Sequence, residues 1–300
     1  MPQPLIWTPQ LTQDGSYTFF SLQFEESFHS VQGARAEAFA KFADATHLAE
    51  QAARASVQAS VKLLDICYGL GYNTAAALET LWSLNPDCRV ELYGLELDAS
   101  VPRAASVSPL IESWSAEVQP VLQALATDQI YQSDRLQAQL LIGDARQTIQ
   151  DLANRGFQAD AIFFDPFSPR RCPQLWTVDF LRWVARCLTP TGKLATYSRA
   201  AAVRAALIEA GFAIGTIPLS RTLETPSHEW SQGTVASFAA ESLPPLSLLE
   251  QEHLRTRAAI PYRDPTLADS AEVIRQRQQQ EQQQSTLEST SSWRRRWGIC

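Results

Sequence analysis

Leu63-Leu64-Asp65-Ile66-Cys67-Tyr68-Gly69-Leu70-Gly71-Tyr72-Asn73-Thr74 joins an apolar run, a glycine-bearing turn and the first turn of a helix. The run is the length of one buried strand, and Asp65 stands near its end. Gly69 and Gly71 let the backbone turn tightly and approach a ligand, because any Cβ there would fill the space. A strand-to-helix turn that merely needs glycine reads the same way, so the loop alone does not assign a ligand.

Working outward, the sequence alternates between β and α patterns. Residues 61–67 read as a buried strand, 74–84 as a helix and 89–97 as a second strand. Short apolar runs at 138–142, 159–164, 193–197, 212–217 and 234–238 continue the alternation. Near-continuous apolar strands between helices predict an α/β fold, a doubly wound, Rossmann-like and mostly parallel sheet covered on both faces. Upstream, Asp14-Gly15 signals a turn and 16–24 alternates like a strand, which predicts an N-terminal hairpin. The Ala-rich stretch from Arg35 to about Ser60 predicts one or two helices. The expected division is therefore 1–58 as a β/α extension, 59–242 as the sheet domain and 243–300 as a C-terminal extension. Beyond Ala271 the chain is Gln-rich and reads as a solvated helix or a disordered tail.

The chemistry-bearing residues fall at strand ends, where such sheets bind ligands. Thr74 replaces the third glycine of G-x-G-x-x-G, and Asp65 would repel a pyrophosphate. S-adenosylmethionine lacks phosphate and carries an ammonium and a sulfonium, so a carboxylate here favours it. The loop pattern D-x-G-x-G-x-G is met at Asp65, Gly69 and Gly71 and broken at its first glycine by Cys67, read as structural rather than reactive. Glu96, with Asp98 as the alternative, ends the second strand where a carboxylate accepts both ribose hydroxyls. Asp144 either receives an adenine amino group or caps the following helix. The expected donor-binding set is thus Asp65, Gly69, Gly71, Asn73, Glu96 and Asp144. A further strand delivers Asp165 into Asp165-Pro166-Phe167-Ser168-Pro169-Arg170-Arg171-Cys172-Pro173-Gln174-Leu175-Trp176-Thr177. Its prolines stiffen a loop in front of the pocket, and Asp165 is the expected catalytic carboxylate, binding an amine and assisting loss of its proton.

Composition narrows the field. The 300 residues are 45% hydrophobic, enough for a sizeable core, and no stretch reads as a membrane span. The start, Met1-Pro2-Gln3-Pro4-Leu5, lacks a secretory pattern, so a cytoplasmic location is expected. The 5 cysteines, with no C-x-x-C pair, suggest neither disulfides nor a zinc site, and no metal is expected. A net charge of -7 disfavours non-specific nucleic-acid binding, so any such substrate needs a local basic face. Arg170-Arg171, Arg182 with Arg186, Arg199 with Arg204, and Arg294-Arg295-Arg296 are candidates, although such runs are also ordinary solvated surface.

The glycine loop from Asp65 to Thr74 and the Asp165-Pro166-Phe167-Ser168-Pro169 loop with Pro173 and Trp176 resemble the MnmC methyltransferase family, including its stand-alone forms. Asp14-Gly15-Ser16, Phe28-His29-Ser30 and Pro261-Tyr262-Arg263-Asp264-Pro265 extend the resemblance over most of the chain. Two positions depart from the family's loop: Cys172 where asparagine is expected, and Pro166 where glycine is usual. The resemblance implies S-adenosylmethionine-dependent methylation of the exocyclic amine of 5-aminomethyl-uridine, or its 2-thio form, at the tRNA wobble position. It implies that Phe167 or Trp176 stacks on the base, with Pro169 in the substrate loop. Arg170, Arg171 and Arg199 would then meet tRNA phosphates. No FAD fingerprint follows, so the oxidase step of fused relatives is expected to be absent. The rival expectations are another amine methyltransferase, an aminopropyltransferase or a dehydrogenase on the same sheet, and a non-catalytic RNA- or protein-binding module.

Overall fold

The structure, a computed structural model, describes residues 7–55, 59–219 and 231–299. The readings placed on Met1–Leu5, on 56–58 with the boundary at 58, and on Cys300 lie outside the described residues. Among the described residues no helix is long and apolar enough to cross a membrane.

Four short strands open the chain: β1 (Gln10–Leu11) pairs antiparallel with β2 (Tyr17–Thr18), and β3 (Phe20–Ser21) pairs antiparallel with β4 (Glu26–Ser27). The single strand expected over 16–24 is thus divided, because its two halves pair with different partners. Helix α1 (Ala34–Ala38) runs into a π-helical turn, Phe39–Ala43, and α2 (Leu48–Arg54) leads towards the sheet.

Among the described residues the central sheet has 8 strands. They are β5 (Val61–Ile66), β6 (Val90–Glu96), β7 (Ile130–Gln132), β8 (Leu136–Ile142), β9 (Ala159–Phe164), β10 (Leu188–Thr196), β11 (Ala213–Ile217) and β12 (Gly233–Ser237). Their spatial order is β11-β12-β10-β9-β5-β6-β8-β7. The middle, from β10 to β8, is parallel, and the margins are antiparallel through β7 on one side and β12 on the other. The chain winds from β5 outward through β6 to β8, then crosses back to β9. Strand order therefore reverses at β5 and β9, where a doubly wound sheet opens a crevice at its carboxyl edge.

Side-chain alternation fills a core on each face. Leu63, Ala161 and Phe163 enter one, and Leu64, Ile66, Ile162 and Phe164 the other. The covering helices are α3 (Tyr72–Leu84), α4 (Ser100–Ala105), α5 (Gln119–Thr127), α6 (Ala145–Asn154), α7 (Val178–Arg186) and α8 (Ala201–Glu209). Beyond the sheet come α9 (Leu248–His253), α10 (Ala271–Gln284) and α11 (Thr290–Trp297). The Gln-rich stretch is helical and anchored: Ile274 and Trp293 are buried, and Gln278 Nε2 donates to the Ile260 carbonyl oxygen at 2.7 Å.

Candidate active site

The turn after β5 holds three residues in the left-handed region: Cys67 (φ 68°), Gly69 (φ 53°) and Gly71 (φ 79°). Cys67 therefore adopts, with a side chain, the conformation that the glycine of the expected pattern takes freely. A Cβ on Gly71 would lie 2.6 Å from the Tyr68 hydroxyl oxygen, so its missing side chain makes room for Tyr68. At Gly69 a Cβ would meet the Phe28 ring at 3.3 Å. The Gly69 N–H donates to Glu96 Oε2 at 2.8 Å, and the Asp98 N–H donates to Glu96 Oε1 at 2.9 Å. Both oxygens are thereby fixed at the end of β6, and burial holds the Glu96 carboxyl above its usual value.

A cleft of about 570 Å³ opens here between the carboxyl ends of β5, β6 and β9 and the N-terminal segment. Gly69, Glu96, Asp98, Asp165, Phe167 and Tyr197 line it. Phe167 stacks on Phe24 with ring centroids 4.4 Å apart and meets Phe28 edge-on at 4.9 Å. Asp165 is placed by the sheet register, its N–H donating to the Ile66 carbonyl oxygen at 3.1 Å. Asn73, in the first turn of α3, donates through Nδ2 to Asp165 Oδ2 at 3.0 Å. Burial, reinforced by the Glu37 charge and opposed by Asn73 and Lys41, pushes the Asp165 carboxyl up to about 7. This group passes between neutral acid and carboxylate near neutral pH, which suits proton transfer.

The expected site residues divide on this geometry. Gly69, Glu96, Asp165 and Phe167 line the cleft, and Asn73 acts on it through Asp165. Asp65 does not line it. It is fully buried behind the turn, where Thr74 Oγ1 donates to Oδ2 at 2.7 Å. Burial raises its carboxyl to about 8 against the pull of Thr74, so Asp65 is mainly neutral at pH 7 instead of an anion facing the donor. Asp144 is the N-cap of α6, accepting the Arg146 N–H at 2.9 Å and ion-paired with that guanidinium at 2.7 Å. The adenine role is therefore not supported by a cleft-facing carboxylate.

Trp176 has no face for a base: it is fully buried, donates through Nε1 to the Phe167 carbonyl oxygen at 2.8 Å, and packs edge-on against Phe164. Its work is to hold Phe167. Pro169, Arg170 and Arg171 lie outside the cleft wall. Arg171 pairs with exposed Glu25 at 2.7 Å, and the Arg170 carbonyl oxygen accepts from Arg275.

Sequence reading did not assign His29, Glu37, Lys41 or Tyr197, which also line the cleft. Tyr197 donates to the Pro166 carbonyl oxygen at 2.8 Å. Lys41 Nζ and the Ser30 N–H donate to Glu37. Burial pushes the Glu37 carboxyl up, but these partners outweigh it and hold it below its usual value. His29 is pushed down to about 4 by burial and is neutral at pH 7. The Glu37 and Lys41 spacing, one helical turn, was the readable signal; the π-helical turn that re-aims it was not.

The buried Oδ1 atoms of Asp65 and Asn73 have no hydrogen-bond partner. The unpaired Asn73 Oδ1 beside the glycine turn, with a fixed carboxylate at the end of β6, fits a ligand rich in donors. The ammonium and ribose diol of S-adenosylmethionine supply such donors.

Known proteins give the same reading. A family described as S-adenosyl-L-methionine-dependent methyltransferase matches residues 107–220. The crystal structure of MnmC2 from Aquifex aeolicus has a TM-score of 0.78 and 31% identity, covering 95% of this chain and 87% of that one. The tRNA 5-methylaminomethyl-2-thiouridine biosynthesis bifunctional protein MnmC of Ralstonia nicotianae is 30% identical over 235 residues, 73% of this chain and 33% of that protein. An uncharacterised protein of Methanocaldococcus jannaschii is 29% identical over 265 residues, 86% of this chain and 67% of that protein. The chain thus spans about a third of the length of the Ralstonia bifunctional relative. With sheet, cleft and similarity in agreement, the chain belongs to the MnmC-like family of S-adenosylmethionine-dependent methyltransferases.

Proposed function

We propose that the protein methylates the exocyclic amine of 5-aminomethyl-uridine, or its 2-thio form, at the wobble position of tRNA. The reading assigns methyl transfer alone to this chain, without an oxidase step. The observation that carries it is Asp165, held by Asn73 at the edge of an aromatic cleft with its carboxyl near 7. The Ralstonia relative, named for tRNA 5-methylaminomethyl-2-thiouridine biosynthesis, supports this choice of acceptor.

S-adenosylmethionine, when bound, supplies an electrophilic methyl group on its sulfonium. Glu96 would hold the ribose hydroxyls, and the unpaired Asn73 Oδ1 would receive an ammonium hydrogen. Phe24, Phe28 and Phe167 pack against the pyrimidine and exclude water. Asn73 fixes Asp165 Oδ2, and Oδ1 accepts a hydrogen of the incoming amine. A protonated amine offers no lone pair, so the anionic form of Asp165 draws that proton away and orients the neutral nitrogen for attack. Arg170 and Arg171, exposed outside the cleft, contact tRNA phosphates without reading sequence.

Incubation with methyl-labelled donor and tRNA lacking the modification, followed by digestion to nucleosides, tests the reading. The label should appear in the methylaminomethyl nucleoside. Asp165→Ala should lower turnover about 10²–10⁴-fold, the range for a general base, while donor affinity stays within a few-fold. Label in another nucleoside, or full turnover by Asp165→Ala, would overturn it.

A further inference from the structure

The loop that carries Phe167 into the cleft contains Pro166, Pro169 and Pro173, none of which can donate a main-chain hydrogen bond. Such a loop depends on partners from elsewhere. Glu26 accepts the Ser168 N–H at 2.9 Å, and Tyr197 donates to the Pro166 carbonyl oxygen. Beyond Ser168 the C-terminal extension takes over. Arg275 Nη1, on α10, donates to the Arg170 carbonyl oxygen at 3.1 Å. The Val178 N–H donates to the Tyr262 carbonyl oxygen at 3.0 Å, beside a parallel bridge between Thr177 and Tyr262. Between these two grips, α10 packs on the 3₁₀ turn Pro173–Trp176, and its Ile274 shares a core with Leu175 and Trp176. Trp176 in turn donates to the Phe167 carbonyl oxygen.

A buried carboxylate sets the extension in place. Asp264 is fully buried; its Oδ2 accepts from Arg146 Nη1 at 2.9 Å, and its Oδ1 accepts the Ala268 and Asp269 N–H groups at 3.2 Å. Its own N–H donates to Asp179 Oδ2, in the first turn of α7, at 2.8 Å. Arg146 also donates to the Asp269 carbonyl oxygen at 3.0 Å, so the turn from Asp264 to Asp269 is tied to α6 and α7 together.

We propose that the C-terminal extension is a working part of the acceptor site, with Arg275 and Asp264 as positioning residues for the loop that presents Phe167. The inference rests on the reading that Phe167 packs against the acceptor base. Asp165 and Glu96 are fixed at strand ends by the sheet and the glycine turn. Phe167 lies past the end of its strand, and its carbonyl oxygen is held by Trp176, which α10 packs against. A side chain set by such supports keeps its geometry only while they hold. Methyl transfer requires the acceptor nitrogen in line with the donor methyl, so loosening the loop weakens use of the acceptor and spares the donor.

Arg275 is half-buried, so Arg275→Ala and Arg275→Lys test this without opening the core. Hydrogen exchange reads the loop independently of activity, through the Arg171 and Cys172 amides, which both donate to the Ser168 carbonyl oxygen at 2.8 Å. They should exchange about 3–10-fold faster in Arg275→Ala, the worth of one hydrogen bond, and near the wild-type rate in Arg275→Lys. With tRNA carrying the unmethylated aminomethyl-uridine, the acceptor KM should rise by a similar factor in Arg275→Ala. Donor affinity by calorimetry should stay within about twofold of wild type. Asp264→Asn, which removes the charge opposite Arg146, should show the same split. Unchanged exchange in Arg275→Ala would overturn the proposal. Faster exchange with an unchanged acceptor KM would do so too, because the extension would then serve the fold alone. So would a parallel loss of donor affinity, the mark of general loosening. Methylation of some other nucleoside by the wild type would sink the acceptor reading alone, while the exchange rates still decide whether the extension holds the loop.

Discussion

Asp65 and Asp165 stand at the carboxyl ends of neighbouring strands, and their environments give one sequence feature two roles. Burial raises the first to about 8 and the second to about 7 from an ordinary 3.8. A raised carboxyl means that the folded protein keeps a proton which the unfolded chain releases above about pH 4. The stability from each group is therefore full below that pH and is lost as pH rises through 7 to 8. Thermal unfolding of Asp65→Asn should consequently decline less between pH 5 and 9 than that of wild type; parallel curves would refute the assignment. For Asp165 the same value predicts a rate that rises with pH through about 7, with that limb absent in Asp165→Asn. Glu96 and Asp165 were legible because an acid closing an apolar strand points to the carboxyl edge of the sheet. The inward turn of Asp65 was not, since Thr74, in the helix beyond the loop, decides it. Tyr197 reaches the cleft from a distant element, and no local pattern marks it.

At the scale of elements, β9 matches the expected 159–164 exactly in extent, and β5, β6, β8, β10, β11 and β12 correspond to expected runs within a few residues at most ends. Apolar runs buried on both faces announce themselves. The edge strand β7, with its exposed Ile130, offers no such run, and the insertion of β12 between β10 and β11 is a matter of pairing that local sequence does not encode. The C-terminal extension was least legible, because its anchors are pairwise. Arg204 in α8 and Glu250 in α9 form an ion pair at 2.8 Å with both side chains 1% exposed. Arg204 also donates to Thr234 Oγ1 and the Gly233 carbonyl oxygen. Removing one partner of such a pair strands a buried charge, so Glu250→Ala should cost about 3–5 kcal/mol in denaturant unfolding. The double change Arg204→Met with Glu250→Leu should recover much of that loss, because charge desolvation is removed together with the attraction. A loss of under about 1 kcal/mol in the single variant, the size of an exposed pair, would show that the pair is solvated in solution.

Over the whole molecule, charge decides which ligands are attracted to which surface. The chain is acidic, at -7, and the cleft concentrates this: among the described residues Glu26, Glu37, Glu96, Asp98 and Asp165 line it, against Lys41 and a neutral His29. Such a cleft favours a cationic donor and a cationic amine, and it discriminates between the donor and its demethylated product. S-adenosylmethionine and S-adenosylhomocysteine share adenosine, ribose and amino acid, and differ in the methyl group and the sulfonium charge it creates. Raising salt from 0.1 to 1 M shortens the screening length from about 10 Å to about 3 Å, so the long-range attraction for that one charge fades while shared contacts persist. Donor affinity should therefore fall more steeply than product affinity. The difference should be on the order of threefold across the range, the size of one partly exposed charge interaction. Paired calorimetric titrations measure both slopes on the same protein. Equal slopes would mean that the sulfonium sits beyond the reach of these carboxylates. The cleft's acidity would then serve the amine of the proposed acceptor alone.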